Sequence, residues 1–184
     1  MAIDVVDDKL TADEYQSMIA AGIIREGAPI ELIDGRMIRK DSGDGHHIRC
    51  VVLLNEILVT IIDPTWFVSP RGSIRADAYS EPEPDFAVLD KRPAGRTPPP
   101  AEDVMQAIEV SDTSLTFDLD VKAQLYARGG IPEYWVVDLT AQRVLRHSEP
   151  RDGRYRITEE FIVGDQITSL TDPPITIAVA DIFA

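Results

Sequence analysis

Two acids in this chain stand where acids are costly. Asp85 follows Pro84 at the head of the apolar run Phe86-Ala87-Val88-Leu89, and Glu109 lies inside a second apolar run from Val104 to Val110. An unpaired carboxylate is expensive to bury, so each of these needs a partner. Convergence on one divalent metal supplies a partner for both. Mg²⁺ takes oxygen ligands and keeps several waters, so two carboxylates and a backbone carbonyl suffice. The carbonyl of Val110 is the third candidate ligand. Such an ion polarises a phosphoryl oxygen and lowers the pKa of a bound water. A nearby ammonium orients that water and offsets transition-state charge. Lys122, on a predicted helix after the Glu109 strand, has a stem long enough to reach back toward the strand end. The competing reading pairs Lys122 with Asp118, four residues earlier, a contact worth only about 0.3–0.5 kcal/mol.

The elements that must position these groups are legible from turn and periodicity signals. Thr11-Ala12-Asp13-Glu14 is a capping-box pattern and Gly22 a stop, so a short helix lies between them. Ile30-Glu31-Leu32-Ile33, Asp34-Gly35, Arg36-Met37-Ile38-Arg39 reads as a tight hairpin, because Asp-Gly supplies the two positive φ angles of a type I′ turn. From His46 to about Ile61 the apolar residues recur at helical spacing, and Pro64 closes that helix. Trp66-Phe67-Val68 and Ser73-Ile74-Arg75 are short strand candidates, and residues 90–103, rich in proline, form an exposed loop. The nearly all-apolar Val104 to Val110 predicts a central strand covered on both faces. A helix ending at Gly129-Gly130 follows, then a central strand over Glu133 to Asp138 and a hairpin about Arg151-Asp152-Gly153. Ile175 to Val179 is a last strand or packing segment. The order predicts an α/β chain, a mixed sheet with helices on both faces, as one domain over residues 1–184.

Several of these segments together resemble the Uma2 family. They are Pro84-Asp85, Ala107-Ile108-Glu109-Val110-Ser111, the series Asp118, Lys122, Tyr126, Gly129, and Ile131-Pro132-Glu133-Tyr134-Trp135-Val136-Val137-Asp138. The hairpin Ile30 to Gly35 and a histidine before the next helix, matched by His46 or His47, extend the resemblance from about residue 10 to the end. That family is similar to the PD-(D/E)xK superfamily, the restriction-endonuclease-like fold. The resemblance implies a Mg²⁺-dependent endonuclease, with Mn²⁺ as a possible substitute, acting on DNA phosphodiesters. It implies Asp85 and Glu109 as metal ligands and Lys122 as the catalytic lysine. The superfamily's lysine two residues after the acid is replaced here by Ser111, and the lysine of the following helix stands in for it.

Further residues carry two readings each. His46 or His47 approaches the metal site or a phosphate, or else flanks the helix start. Glu31 and Glu56 are candidates for a water-mediated metal contact, and Tyr126 for packing beside the Lys122 stem. Tyr134, Trp135 and the single cysteine, Cys50, read as core residues.

The net charge of −14, from 18 basic and 32 acidic residues, opposes unspecific attraction to nucleic acid. A local basic surface can offset it. The candidates are Lys91, Arg92 and Arg96, or Arg143, Arg146, Arg151, Arg154 and Arg156, which otherwise read as solvated loop and hairpin charges. No apolar run approaches the ~20 residues that span a bilayer, and one cysteine makes no internal disulfide. A cytoplasmic location and no membrane partner are expected. A small acidic chain is expected to engage DNA as a homodimer. The alternatives are a nuclease-fold protein that binds nucleic acid or a protein partner without cutting, and a structural module whose acids pair with arginines.

Overall fold

Two Asp-Gly turns set the registers of two hairpins. The computed structural model describes residues 9–40, 43–90 and 98–184. Asp34 and Gly35 have φ values of 49° and 79°, and Asp152 and Gly153 of 52° and 70°. These are the positive angles that a type I′ turn requires. The first turn joins β1 (Ile30–Ile33) to β2 (Arg36–Arg39). The second joins β7 (Arg143–Arg151) to β8 (Arg154–Ile162), a hairpin longer than the sequence signals suggest. Before β1 runs α1 (Ala12–Ala20), and its capping box is formed, with Thr11 Oγ1 accepting from the Glu14 amide at 3.2 Å.

The other strands are β3 (Phe67–Pro70), β4 (Phe86–Leu89), β5 (Val104–Ser111) and β6 (Glu133–Asp138), followed later by β9 (Gln166–Thr168) and β10 (Thr176–Ala178). Six strands form one mixed sheet in the order β3-β4-β5-β6-β7-β8. Only β5 and β6 run parallel, and the chain between them crosses over through helical segments. Residues on β5 alternate between the two faces. Ile108 and Val110 join Phe86, Trp135 and Val137 on one face, covered by α2 (Gly45–Ile61) and α5 (Val179–Ile182). Ala107 joins Ala87, Tyr134 and Val136 on the other, under α4 (Ala123–Arg128). Tyr134 and Trp135 are wholly buried, and Cys50 is buried on the α2 side, as expected for core residues.

The crossover departs from a regular helix. Leu115–Phe117 (α3) is α-helical, Asp118–Lys122 is π-helical, and α4 follows. The Ala123 amide reaches back five residues to the Asp118 carbonyl, which also accepts from the Tyr134 hydroxyl at 3.2 Å. Such widened turns recur at functional sites.

An expectation changes. Residues 73–75 form no strand: Arg75 makes an isolated bridge to Pro100, and its guanidinium is clamped by Glu81 and Asp13. The C-terminal segment pairs β10 with β9, a strand too short to leave a periodic signal. That segment is pinned to the sheet by Glu133, which accepts from Trp135 Nε1 at 2.6 Å and from the Leu170 amide at 2.7 Å. Lys91, Arg92 and Arg96 lie outside the described residues.

His147 on β7 is buried between Tyr134 and Tyr155, with Nδ1 on Thr158 and Nε2 unpartnered among the described residues. Burial pulls its pKa down from 6.5 to about 4. The unfolded chain therefore binds a proton that the folded chain refuses between those values, and stability is lost as pH falls from about 6.5 toward 4. Urea unfolding at pH 7 and pH 4.5 should show this loss, up to about 3 kcal/mol from this group. His147→Phe should remove that share of the pH dependence; an unchanged pH profile in the variant would assign it elsewhere.

Candidate active site

The sheet register brings the two acids together. Phe86 pairs with Ile108 and Ala87 with Ala107 across β4 and β5, so one further step sets Asp85 opposite Glu109. Asp85 Oδ2 accepts from the Val110 amide at 2.8 Å and lies 3.3 Å from His47 Nε2. Glu109 Oε1 accepts from Lys122 Nζ at 2.7 Å and from the Tyr126 hydroxyl at 2.8 Å. The ammonium also lies 3.2 Å from Glu31 Oε2, so Lys122 bridges the β1 acid and the β5 acid. Lys122 does not pair with Asp118. Asp118 instead accepts from Ser111 Oγ at 2.7 Å and Ser114 Oγ at 2.6 Å. Glu31, His47, Asp85, Glu109, Asp118 and Lys122 line a cavity of about 450 Å³, with Arg39, Lys40 and Arg71 also among its lining.

The electrostatics of each group follow from its neighbours. Burial, the largest cause, raises the proton affinity of the Glu109 carboxyl; Lys122 opposes it, while Asp118 and Asp85 add to it. Burial disfavours the Lys122 ammonium, but Glu109, Glu31 and Asp118 outweigh it and hold the proton on. The close contact is thus an ion pair whose carboxylate has a raised proton affinity. Burial also pushes Asp85 up, but the His47 hydrogen bond and charge and the Val110 amide leave it below its ordinary value. The same hydrogen bond raises His47, against burial. Burial raises Asp118 despite Lys122 and the two serine hydroxyls.

Among the described residues, no three His, Cys, Asp or Glu side chains are gathered into a ready-made metal cage. The donor set nonetheless fits a hard cation. Asp85 uses Oδ2 and Glu109 uses Oε1 for its protein bonds, and among the described residues Oδ1 of the first and Oε2 of the second accept none. Two open carboxylate oxygens beside a cavity match an ion that keeps most of its waters.

Of the other sequence candidates, His47 reaches the site, while His46 is exposed and its amide donates to the helix-capping Asp44. Glu31 reaches it through Lys122. Glu56 does not: it lies on the exposed side of α2, outside the cavity lining. The expectation of a metal contact from Glu56 fails because its helical position points away from the sheet. Three contributors are additional: Tyr126 as a donor to Glu109, the pair Ser111 and Ser114 on Asp118, and the cations Lys40 and Arg71. The signal for the first was present, because Asp118, Lys122 and Tyr126 recur every four residues and share a helix face.

The bridge sets a stability prediction. Lys122→Ala leaves two buried acids without their cation and should cost about 3–5 kcal/mol of unfolding free energy. In the Lys122→Ala, Glu109→Gln pair the combined loss should be well below the sum of the single losses, measured by chemical denaturation as a double-mutant cycle. Strict additivity would mean that the two side chains are not energetically coupled.

Comparison with known proteins bears on the family and the fold. A family model, Uma2, described as "Putative restriction endonuclease", matches residues 12–180. No curated protein matches the chain. A solved structure, a putative nuclease belonging to DUF820 from Anabaena variabilis ATCC 29413, superposes with a TM-score of 0.71 at 17% identity, covering 95% of this chain and 97% of that one. At that identity the likeness is one of fold, and the fold is the restriction-endonuclease-like one. With the family model spanning β1, the two strand acids, the bridging lysine and the sheet that carries them, the chain belongs to the Uma2 family.

Proposed function

We propose that this protein is a metal-dependent endonuclease that hydrolyses phosphodiester bonds in DNA. One observation carries the reading: Asp85, Glu109 and the Lys122 ammonium meet at one cavity, with an oxygen of each acid left open. In this reading Asp85 and Glu109 hold Mg²⁺, or Mn²⁺ in its place, with the Val110 carbonyl as a backbone ligand. Bound there, the ion supplies a Lewis acid for the phosphoryl oxygen and a more acidic water.

The chain's own residues do the rest. An ammonium has three N–H donors; Lys122 donates to Glu109 and stands 3.2 Å from Glu31 as an ion pair. Its remaining donor capacity can orient the attacking water or meet the charge that develops on the phosphate. Tyr126 and Lys122 share one oxygen of Glu109 and so fix the rotamer that exposes the other. His47 and the Val110 amide keep Asp85 ionised. Lys40 and Arg71 line the cavity and would face flanking phosphates, although each also pairs with Glu83, at 3.3 and 3.8 Å.

A second reading, a nuclease-fold protein that binds nucleic acid or a protein without cutting it, draws support from the pairing of hairpin arginines that would otherwise be available to DNA. Arg143 pairs with Asp138 at 2.9 Å, Arg146 with Glu159 at 2.6 Å and Arg156 with Asp152 at 2.6 Å. Those charges are neutralised locally and form no free basic patch.

Nicking of supercoiled plasmid and cleavage of single-stranded DNA with Mg²⁺ or Mn²⁺ separates the two. Wild type should cut, and Asp85→Asn and Glu109→Gln should each lose about 100-fold or more. Equal cleavage by all three points to a contaminant and removes support for the site. No cleavage by folded wild type on either substrate favours the non-catalytic reading.

A further inference from the structure

The helix that brings His47 to the cavity has a second side that no described element covers. α2 buries Cys50, Leu54 and Leu58 against the sheet and α5. Its outer side carries Ile48, Val52 and Val59, which are 52%, 51% and 55% exposed. Single exposed apolar residues need no explanation. These are not scattered: with Asn55 they fall at positions 48, 52, 55 and 59, a spacing of four, three and four. That is the seam of a paired helix, in which apolar residues recur every 3.5 residues, and a polar residue within the seam fixes register.

The charges beside the seam indicate the partner. Arg49 and Glu56 are seven residues apart, so both flank the seam on the same side. Both are exposed, and among the described residues no Asp or Glu side chain pairs with Arg49 and no basic side chain pairs with Glu56. Arg49 donates through Nε to the Ala184 carbonyl at 3.0 Å, which draws on one of its five N–H donors. If two copies of α2 lie antiparallel, Ile48 of each stacks on Val59 of the other and Val52 on Asn55. Arg49 of each copy then faces Glu56 of the other, and two-fold symmetry makes the pair twice. A parallel arrangement sets Glu56 beside Val51 of the other copy, and Arg49 beside Asp44, whose carboxylate already accepts from the His46 and His47 amides. The surface is thus complementary to itself in one orientation.

We infer that α2 is a self-association helix, through which two copies of this chain pair antiparallel along Ile48, Val52, Asn55 and Val59, with reciprocal Arg49–Glu56 ion pairs. Consecutive residues lie about 100° apart around a helix, so His47 faces away from the seam and the pairing leaves the cavity open. The inference does not depend on the nuclease reading. The net charge of −14 on each copy opposes approach, so association is best measured near 0.15 M salt, where the screening length is about 8 Å.

Sedimentation equilibrium over a range of protein concentrations tests it, with far-UV circular dichroism confirming that each variant is folded. Wild type should dimerise in a concentration-dependent way, and Val52→Asp should be monomeric. Glu56→Arg should raise the dimer dissociation constant roughly tenfold by setting like charges face to face. Adding Arg49→Glu to it should restore the wild-type constant to within about threefold, because the pair is then reversed and not lost. A wild type that stays monomeric, a dimer that Val52→Asp leaves intact, or a double variant no tighter than Glu56→Arg would each overturn the proposal.

Discussion

Everything at the cavity depends on one buried cation. Lys122 is 3% exposed and lies between Glu109 and Glu31, acids from two different strands of two different sheets. Without it, Glu109 would be a carboxylate in an apolar sheet face with two further acids, Asp118 and Asp85, raising its proton affinity. With it, the acid is held against the ammonium in one rotamer. A buried pair of this kind is weak evidence for stability, since its desolvation offsets much of its attraction. It is stronger evidence for specificity, because it selects one geometry and leaves one oxygen of each strand acid open.

The scaffold makes that geometry reproducible. Antiparallel pairing of β4 with β5 sets Asp85 opposite Glu109, and parallel pairing of β5 with β6 forces a crossover that returns a helix over the same face. The π-helical turn from Asp118 to Lys122 lies within that crossover and is held by the Tyr134 hydroxyl. Asp118, freed from Lys122, is satisfied by Ser111 and Ser114. Asp85, Glu109, Glu31 and Asp118 therefore each have a hydrogen-bond or ion-pair partner, and the cost of burying several acids together is distributed over hydroxyls, amides, one histidine and one ammonium.

Much of this was legible in the sequence, for physical reasons. Acids inside apolar runs stand out because burial without a partner is costly, and Asp-Gly reads as a turn because of its backbone angles. The central strands were legible because a strand covered on both faces has no polar alternation. Less legible was anything decided across the chain. Helical spacing offered Asp118 as the partner of Lys122, a local pair, whereas the fold supplied Glu31 from 91 residues earlier in the sequence. The choice between His46 and His47 rested on which side of α2 met Asp85, and neighbouring residues on a helix differ by about 100°. The same rotation carried Glu56 away from the cavity. Arg75 left no strand because its bonds to Glu81 and Asp13 depend on where α1 docks.

The most direct test of the central claim is calorimetric titration of Mn²⁺ into the folded protein without nucleic acid. The account predicts a saturable site in the wild type that Asp85→Asn and Glu109→Gln each abolish or weaken by at least about tenfold, as expected when an ion loses one of two carboxylates. His147→Phe, outside the cavity lining, should bind as the wild type does. Undiminished binding in both acid variants would contradict the account, because the two strand acids would then not be the pair that holds the ion.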